Sequence, residues 1–184
     1  MPMPFPRLDR KNASLLVVDI QERLVPVMWN FAPVEKYAKA AVLAARELGL
    51  PVICTEQYPK GLGPTIASVR ECLPEAPVAK MHFSCGADPA TRQALAATGR
   101  TQVLVVGMET HVCVFQTCRD LVEQGHQVFV CADAVTSRFE EHRRVALELM
   151  RDIGVVVTSA ETSIFDLLHE AGTAEFKRVS PLVK

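Results

Sequence analysis

The chain has 184 residues, of which 49% are hydrophobic and 22% charged, and a formal net charge of -1. That length predicts a single domain spanning residues 1–184, with 1–12 as an N-terminal extension. The balanced charge and the lack of a basic run argue against nucleic acid and membrane surfaces as partners, and no apolar stretch approaches the ~18 residues of a membrane span.

The N-terminus and the cysteines bear on the cellular compartment. Met1–Arg10 contains three prolines and no apolar core of a secretory signal, so we predict a cytosolic, reducing location. No C-x-x-C pair and no zinc-type Cys/His spacing occurs, so we expect no metal and no cofactor. The chain has six cysteines: Cys54, Cys72, Cys85, Cys113, Cys118 and Cys131.

Short apolar runs alternate with longer helical stretches along the chain. Runs that are apolar throughout indicate strands buried on both faces, as in a parallel sheet covered by helices. The predicted strands are Ala13–Val18, Pro51–Thr55, Pro77–Lys80, Gln102–Gly107, Gln127–Ala132 and Val155–Thr158.

The segments between these strands have helical periodicity, and four of them end at a glycine that can cap the helix. The predicted helices are Val34–Leu48, Pro89–Thr98, Val112–Gln124 and Phe139–Ile153. This order predicts an α/β fold, a three-layer α/β/α sandwich with a mostly parallel six-stranded, Rossmann-like sheet. Tyr58–Pro74, rich in Pro and Gly, follows a strand end and is either a pocket wall or an ordinary surface loop.

Three titratable side chains lie at or just beyond predicted strand ends: Asp19, Lys80 and Cys113. Singly, each has an ordinary explanation, as a helix cap, a solvated lysine or a small core residue. Together they favour a site, because doubly wound sheets bind ligands at this edge. Cys113 follows a strand and begins a helix, where free N–H groups stabilise a thiolate, lower the thiol pKa and can hold an oxyanion.

The motifs around these residues resemble a known family. Leu16-Val-Val-Asp19-Ile-Gln21, Lys80-Met-His-Phe-Ser84 and Val105-Val-Gly107-Met-Glu-Thr110-His-Val-Cys113 are similar to motifs of the isochorismatase-like cysteine hydrolases, which include nicotinamidases and N-carbamoylsarcosine amidohydrolase. Glu56-Gln-Tyr-Pro-Lys-Gly-Leu-Gly63 resembles the branch called isochorismatase domain-containing proteins. The resemblance runs from about Ala13 to about Leu168 and implies the isochorismatase-like hydrolase fold.

The resemblance implies a role for each motif residue. Cys113 would be the nucleophile, Asp19 the general base, and Lys80 the cation that supports both. A non-proline cis peptide would join Met108 and Glu109, and the backbone N–H groups of Glu109 and Cys113 would form the oxyanion hole. The implied protein is a homo-oligomer, a dimer or tetramer, that hydrolyses a small amide, imide or ureido substrate through a thioester.

Departures from the family leave alternatives open. Nicotinamidases carry a D-x-H metal motif after their second strand, whereas this chain reads Thr55-Glu56-Gln57-Tyr58, which argues against a metal and a nicotinamide substrate. Isochorismatase proper lacks the nucleophilic cysteine and cleaves a vinyl ether, so Cys113 argues against that activity. The remaining alternatives are a non-catalytic interaction protein on an enzyme fold and redox or peroxide chemistry at Cys113.

Other residues near the predicted strand ends are candidates for substrate binding. Trp29 could instead fill core or a subunit contact, and His111 could be a turn residue bonded to backbone. Cys85 is a weaker candidate nucleophile, since no helix start or base is evident beside it. The predicted substrate-binding residues are Gln21, Leu24, Trp29, Tyr58, Phe83 and His111.

Overall fold

The computed structural model describes residues 6–184, and its centre is one six-stranded sheet in the order β3-β2-β1-β4-β5-β6. All five strand pairings are parallel, so the predicted α/β/α fold with a mostly parallel sheet is confirmed. The strands are β1 Ala13–Val18, β2 Val52–Gln57, β3 Val78–Lys80, β4 Gln102–Met108, β5 Gln127–Thr136 and β6 Val156–Thr158.

All four predicted helices form, with ends within a few residues of the expected ones, and the glycine after each has a positive φ. The segment after β2 contains two short helices, and two further helices follow β6. The helices are α1 Phe31–Glu47, α2 Pro59–Leu62, α3 Ala67–Arg70, α4 Pro89–Ala97, α5 Phe115–Glu123, α6 Glu140–Asp152, α7 Ala160–Leu168 and α8 Ala174–Val179. Short 3-10 turns span Val25–Val27 and Ser180–Val183, and a π turn spans Thr110–Val114.

The sheet is buried on both faces because its central strands are apolar throughout. Successive side chains of a strand point to opposite faces: Leu15 and Val17 of β1 pack with α1, α7 and α8, whereas Leu16 and Val18 pack with α4, α5 and α6. Every residue of β1 and β4 is buried. This burial fixes the carboxyl ends of β1 and β4 side by side at one edge.

Gly107 marks a close approach of β4 to β1. It pairs with Val18 and has a φ of 140°. A Cβ at this position would lie 2.1 Å from the Val18 carbonyl oxygen, so any other residue would push the two strand ends apart. Glycine therefore sets the spacing of the edge on which the candidate site is built.

Two strands extend by two or more residues beyond the ends that the apolar runs predict. β2 extends to Gln57 because Glu56 and Gln57 pair with β3. β5 extends to Thr136 because its pairing with β4 resumes beyond a register shift at Val105/Gly107. In both cases polar residues remain in the strand because neighbouring strands supply their backbone hydrogen bonds.

Part of the predicted N-terminal extension packs on the domain. Leu8 is buried in the core on the α1 face, and the backbone N–H of Asp9 donates to Gln102 Oε1 at 2.7 Å. Over residues 6–184, none of the helices is both long and apolar enough to span a bilayer.

Candidate active site

The candidate site lies where the strand order reverses, between β1 and β4. Asp19 directly follows β1, and Cys113 follows β4 after a short turn. In doubly wound sheets this switch point opens a crevice at the carboxyl ends of the strands. The topology therefore brings these two side chains together although they are far apart in sequence.

Asp19 is fully buried and lies at the centre of a polar cluster. Its Oδ2 accepts a hydrogen bond from Lys80 Nζ at 2.7 Å, and its Oδ1 accepts one from Thr55 Oγ1 at 2.8 Å. The backbone of Asp19 is left-handed, with a φ of 53°. Two donors on one carboxyl group are the pattern expected of an ionised acceptor, so Asp19 and Lys80 form a buried ion pair.

Lys80 is surrounded by oxygen acceptors. Besides Asp19, its Nζ lies 2.8 Å from Gln57 Oε1, 3.0 Å from the Phe83 carbonyl and 3.2 Å from the His82 carbonyl. An ammonium has three protons to donate. These four acceptors use all of them, so Lys80 acts on the site through its charge.

Burial and charge shift the pKa values of the pair. Burial raises the pKa of Asp19, and the charge of Lys80 and the hydrogen bonds from Lys80 and Thr55 only partly offset this. Burial alone would lower the pKa of Lys80, but the negative charge of Asp19 and its hydrogen bond outweigh burial and hold that pKa above its ordinary value. The result is an ion pair whose carboxylate is a stronger proton acceptor than an exposed aspartate.

Cys113 lies in the turn that begins the helix after β4, near the charge of Asp19, and is 5% exposed. The expectation of a lowered thiol pKa is wrong for the free protein. Burial raises the pKa of Cys113, and the negative charge of Asp19 raises it further, whereas Lys80 opposes them. With its pKa raised in this way, the thiol is protonated at neutral pH.

The turn before Cys113 has the predicted non-proline cis peptide between Met108 and Glu109. The carbonyl of Glu109 accepts hydrogen bonds from the N–H groups of Val112 and Val114, both at 3.1 Å. The Glu109 side chain pairs with Arg138, Oε1 to Nε, at 2.7 Å. The helix begins with the π turn at Thr110, two residues earlier than the sequence predicts.

Gln21, predicted to bind substrate, uses its amide within the protein. Its Nε2 donates to the carbonyls of Gln57 at 3.0 Å and Gly63 at 2.7 Å, and its Oε1 accepts from the Gln57 N–H at 2.8 Å. Gln21 therefore ties the end of β1 to the end of β2 and to the segment Tyr58–Pro74. These hydrogen bonds engage both the nitrogen and the oxygen of its amide.

The other predicted substrate-binding residues lie around this edge of the sheet. The Trp29 N–H donates to the Ser137 carbonyl at 2.9 Å, and His111 Nδ1 lies 2.9 Å from Ser137 Oγ, so both residues contact Ser137, just after β5. Burial lowers the pKa of His111, and nearby His142 and Arg138 add to this, against the opposing effect of Glu109.

The Tyr58 N–H donates to the Lys80 carbonyl at 2.9 Å. The side chains of Tyr58 and Phe83 are 47% and 55% exposed, so they lie at the protein surface and not in the core. Leu24 is half-buried and packs against the core on the α1 face.

Cys85 is close to the cluster but sealed from solvent. Its Sγ lies 3.7 Å from Thr55 Oγ1, it is fully buried, and burial raises its pKa to about 11. Glu56, in the region of the nicotinamidase metal motif, accepts from Thr65 N–H at 2.6 Å and Thr65 Oγ1 at 2.8 Å. Over residues 6–184, no three His, Cys, Asp or Glu side chains group as a metal ion would need.

Sequence reasoning missed Thr55 and Gln57, which hold Asp19 and Lys80 in place. Both are on β2, two residues apart, so they share one face of the strand. A polar residue at every second position where an apolar run ends is a signal that could have found them.

The all-parallel sheet with this cluster at its switch point defines an α/β protein with an isochorismatase-type hydrolase fold. Residues 13–162 match the family described as Isochorismatase domain, and the chain belongs to that family. The secreted isochorismatase effector Isc1 of Phytophthora sojae is 38% identical over 183 residues, 97% of this chain and 87% of its own length. Isochorismatase domain-containing protein 2 of Danio rerio is 35% identical over 178 residues, 96% and 89% of the two chains, so the predicted branch is also confirmed.

Solved structures share the whole fold. The MAR1 ribonuclease of Caenorhabditis elegans has a TM-score of 0.91 at 37% identity, covering 97% of this chain and 92% of that one. YcaC of Pseudomonas aeruginosa, solved with hexane-2,5-diol and covalent acrylamide, has a TM-score of 0.91 at 25% identity, covering 98% and 93%. The Escherichia coli YcaC gene product, an octameric hydrolase of unknown specificity, has a TM-score of 0.91 at 26% identity, covering 98% and 92%.

Proposed function

We propose that the protein is a cysteine-dependent hydrolase that cleaves a C–N bond of a small amide, imide or ureido compound through a thioester on Cys113. The observation that carries this proposal is the buried carboxylate of Asp19, which accepts hydrogen bonds from Lys80 and Thr55 and lies near enough to Cys113 to raise the pKa of its thiol. A nucleophile, a base and a cation that supports the base are the groups that acyl transfer requires.

Acylation begins from a protonated thiol. Sγ of Cys113 bonds to the substrate carbonyl carbon while the thiol proton passes to Asp19, whose raised pKa suits it to accept the proton. The carbonyl oxygen becomes an oxyanion and is held by the backbone N–H groups of Glu109 and Cys113. When the intermediate collapses, the C–N bond breaks and Asp19 returns the proton to the leaving nitrogen. Ammonia or an amine departs, and the thioester remains.

Deacylation reuses the same base. Asp19 takes a proton from a water whose oxygen attacks the thioester carbonyl, the C–S bond breaks, the acid product leaves, and the proton returns to the Cys113 sulfur. Lys80 keeps its protons throughout because four oxygen acceptors surround its Nζ. The positive charge of Lys80 lowers the energy that is needed to deprotonate the Cys113 thiol beside the Asp19 carboxylate.

The test is a panel of small primary amides, cyclic imides and ureido compounds with an ammonia readout. We expect turnover with at least one class, and its loss on Cys113→Ala with an unchanged melting temperature. Cys118→Ala is the matched control, since it removes a fully buried thiol from the same helix. Wild-type turnover by Cys113→Ala would refute the proposal. No turnover with any class would favour the non-catalytic interaction protein.

A second candidate is vinyl ether hydrolysis of the isochorismatase type. The raised pKa of Asp19 suits an acid that protonates a vinyl ether carbon, and Isc1, which is 38% identical, is called an isochorismatase effector. This reaction needs Asp19 and not a thiol. Isochorismate cleavage that survives in Cys113→Ala and is lost in Asp19→Asn would establish it.

RNA is a third substrate to test, because a relative with 37% identity is called a ribonuclease. The net charge of -1 and the buried, fully bonded Lys80 argue against phosphate recognition here. We expect no cleavage of RNA. Cleavage that is lost in Cys113→Ala would reassign the substrate.

We further infer that the chain forms a homo-oligomer. Several large apolar side chains are exposed at the site edge, among them Trp29 at 37% and Phe139 at 61%, and E. coli YcaC is octameric. Patches of this kind are typical of interaction surfaces. Light scattering should show more than one subunit per particle; the predicted dimer or tetramer is one outcome and a larger ring another.

A further inference from the structure

We propose that the Thr110 hydroxyl is a third donor to the oxyanion, beside the two backbone N–H groups, and therefore a catalytic residue. The inference rests on the proposed thioester mechanism. Its starting point is that Thr110 Oγ1 is buried without a hydrogen-bond partner in the part of the chain that the structure describes.

Thr110 differs in this respect from the other buried threonines. Its exposed fraction is 0%, so bulk water does not solvate the hydroxyl. A hydroxyl buried without a partner destabilises a protein, and a valine of the same shape would not. Each of the other buried threonines has a hydrogen-bond partner through its hydroxyl: Thr55, Thr65, Thr91, Thr117 and Thr136.

The position of Thr110 indicates which group could accept a hydrogen bond from its hydroxyl. In the turn Thr110–Val114, the buried residues are Thr110, Cys113 and Val114, so Thr110 and the proposed nucleophile are both buried within one short turn. It directly follows Glu109 and precedes Cys113 by three residues. The two backbone N–H groups proposed to hold the oxyanion therefore flank Thr110 along the chain.

The Thr110 hydroxyl has no acceptor in the resting protein and would gain one during the reaction. It can rotate to donate to an oxygen that appears in the turn. Negative charge develops on that oxygen only as the Cys113 sulfur bonds to the substrate carbon. A donor that gains its partner at that moment stabilises the transition state more than the bound substrate, and so raises kcat more than it lowers KM.

The test compares Thr110→Val, which keeps the shape and removes the hydroxyl, with Thr110→Ser, which keeps the hydroxyl. Loss of one oxyanion donor typically lowers kcat by about 10²–10³-fold. With two backbone donors still in place, we expect Thr110→Val to lower kcat by about 10–100-fold and to change KM by less than about threefold. Its melting temperature should equal or exceed that of the wild type, and Thr110→Ser should retain most of the activity.

A lower kcat together with an unchanged or higher melting temperature distinguishes an oxyanion donor from a structural hydroxyl. A Thr110→Val variant that loses stability would show that the hydroxyl has a structural partner, and the inference would be wrong. A stable Thr110→Val variant with wild-type kcat, measured beside an inactive Cys113→Ala, would also overturn it while leaving the thioester mechanism intact. Turnover by Cys113→Ala would instead refute the mechanism on which the inference rests.

Discussion

Replacing Lys80 by methionine removes the cation from the buried pair while keeping a side chain of similar length. The Asp19 carboxylate, 2.7 Å from Nζ in the wild type and fully buried, would lose its only charged partner in the cluster. Breaking a buried ion pair from one side typically costs about 3–5 kcal/mol, because the remaining charge is uncompensated. For a domain of this size each kcal/mol lowers Tm by about 2–4 °C, so we expect a fall of about 10 °C.

The double variant Asp19→Asn/Lys80→Met supplies the control, because it removes both charges. Thermal and urea unfolding of the wild type, Asp19→Asn, Lys80→Met and the double variant gives the coupling free energy between the two side chains. We expect the double variant to be more stable than Lys80→Met alone, while both are inactive. A Lys80→Met protein as stable as the wild type, or a double variant less stable than either single one, would show that no buried ion pair exists and would refute the reasoning.

Three further predictions concern the surroundings of this pair. Gln57→Leu removes an acceptor 2.8 Å from Lys80 Nζ, and since hydrogen bonds to charged groups contribute about 1.5–3 kcal/mol, activity should fall about tenfold or more; an unchanged kcat/KM would contradict the positioning role. Gly107→Ala should fail to fold, because its Cβ would lie 2.1 Å from the Val18 carbonyl oxygen. Gly99→Ala is the control: its Cβ would have nothing within 4 Å, so its free energy of unfolding should fall by only about 1–2 kcal/mol. Equal stability of the two variants would refute the close approach. Because burial and Asp19 raise the pKa of Cys113, its alkylation rate by iodoacetamide should still rise above pH ~8.5, where an ordinary thiol begins to level off. Asp19→Asn should shift that rise to lower pH, and an early plateau in the wild type would contradict the shift.

The pH dependence of stability provides an independent check on Lys80. Its folded pKa is raised, so the pair's stabilising contribution is complete below the ordinary lysine pKa of about 10.4 and is lost as pH rises through the folded value. The free energy of unfolding should therefore fall more steeply above pH ~10 in the wild type than in Asp19→Asn/Lys80→Met. Equal slopes would mean that Lys80 titrates as an exposed lysine does.

The strands along the chain and the edge of the sheet that holds the site could be predicted because they depend on local patterns. A strand that is apolar throughout, such as Ala13–Val18, must be buried on both faces of the sheet. Parallel strands have their carboxyl ends at the same edge of that sheet. A polar residue directly after such a run, as Asp19 is, must then lie at that edge. The sequence thus led to Asp19, Lys80 and Cys113 without any knowledge of their distances.

The remaining features depend on contacts that local patterns do not contain. Gln57 reads as a polar residue beyond a strand, yet pairing with β3 and the Gln21 amide keep it in β2, where it reaches Lys80. The direction of the Cys113 pKa shift depends on burial and on Asp19, not on the helix start that the sequence shows. The helices after β6, α7 and α8, are not among the predicted elements.

The central claim is that Cys113 carries the acyl group of the substrate. Rapid quenching of the wild-type protein with its slowest amide substrate, followed by intact-mass and peptide analysis, measures this directly. We predict a mass increase equal to the acyl part of the substrate, located on the peptide that contains Cys113 and absent in Cys113→Ala. An acyl group on any other residue, or turnover that continues in Cys113→Ala, would contradict the account.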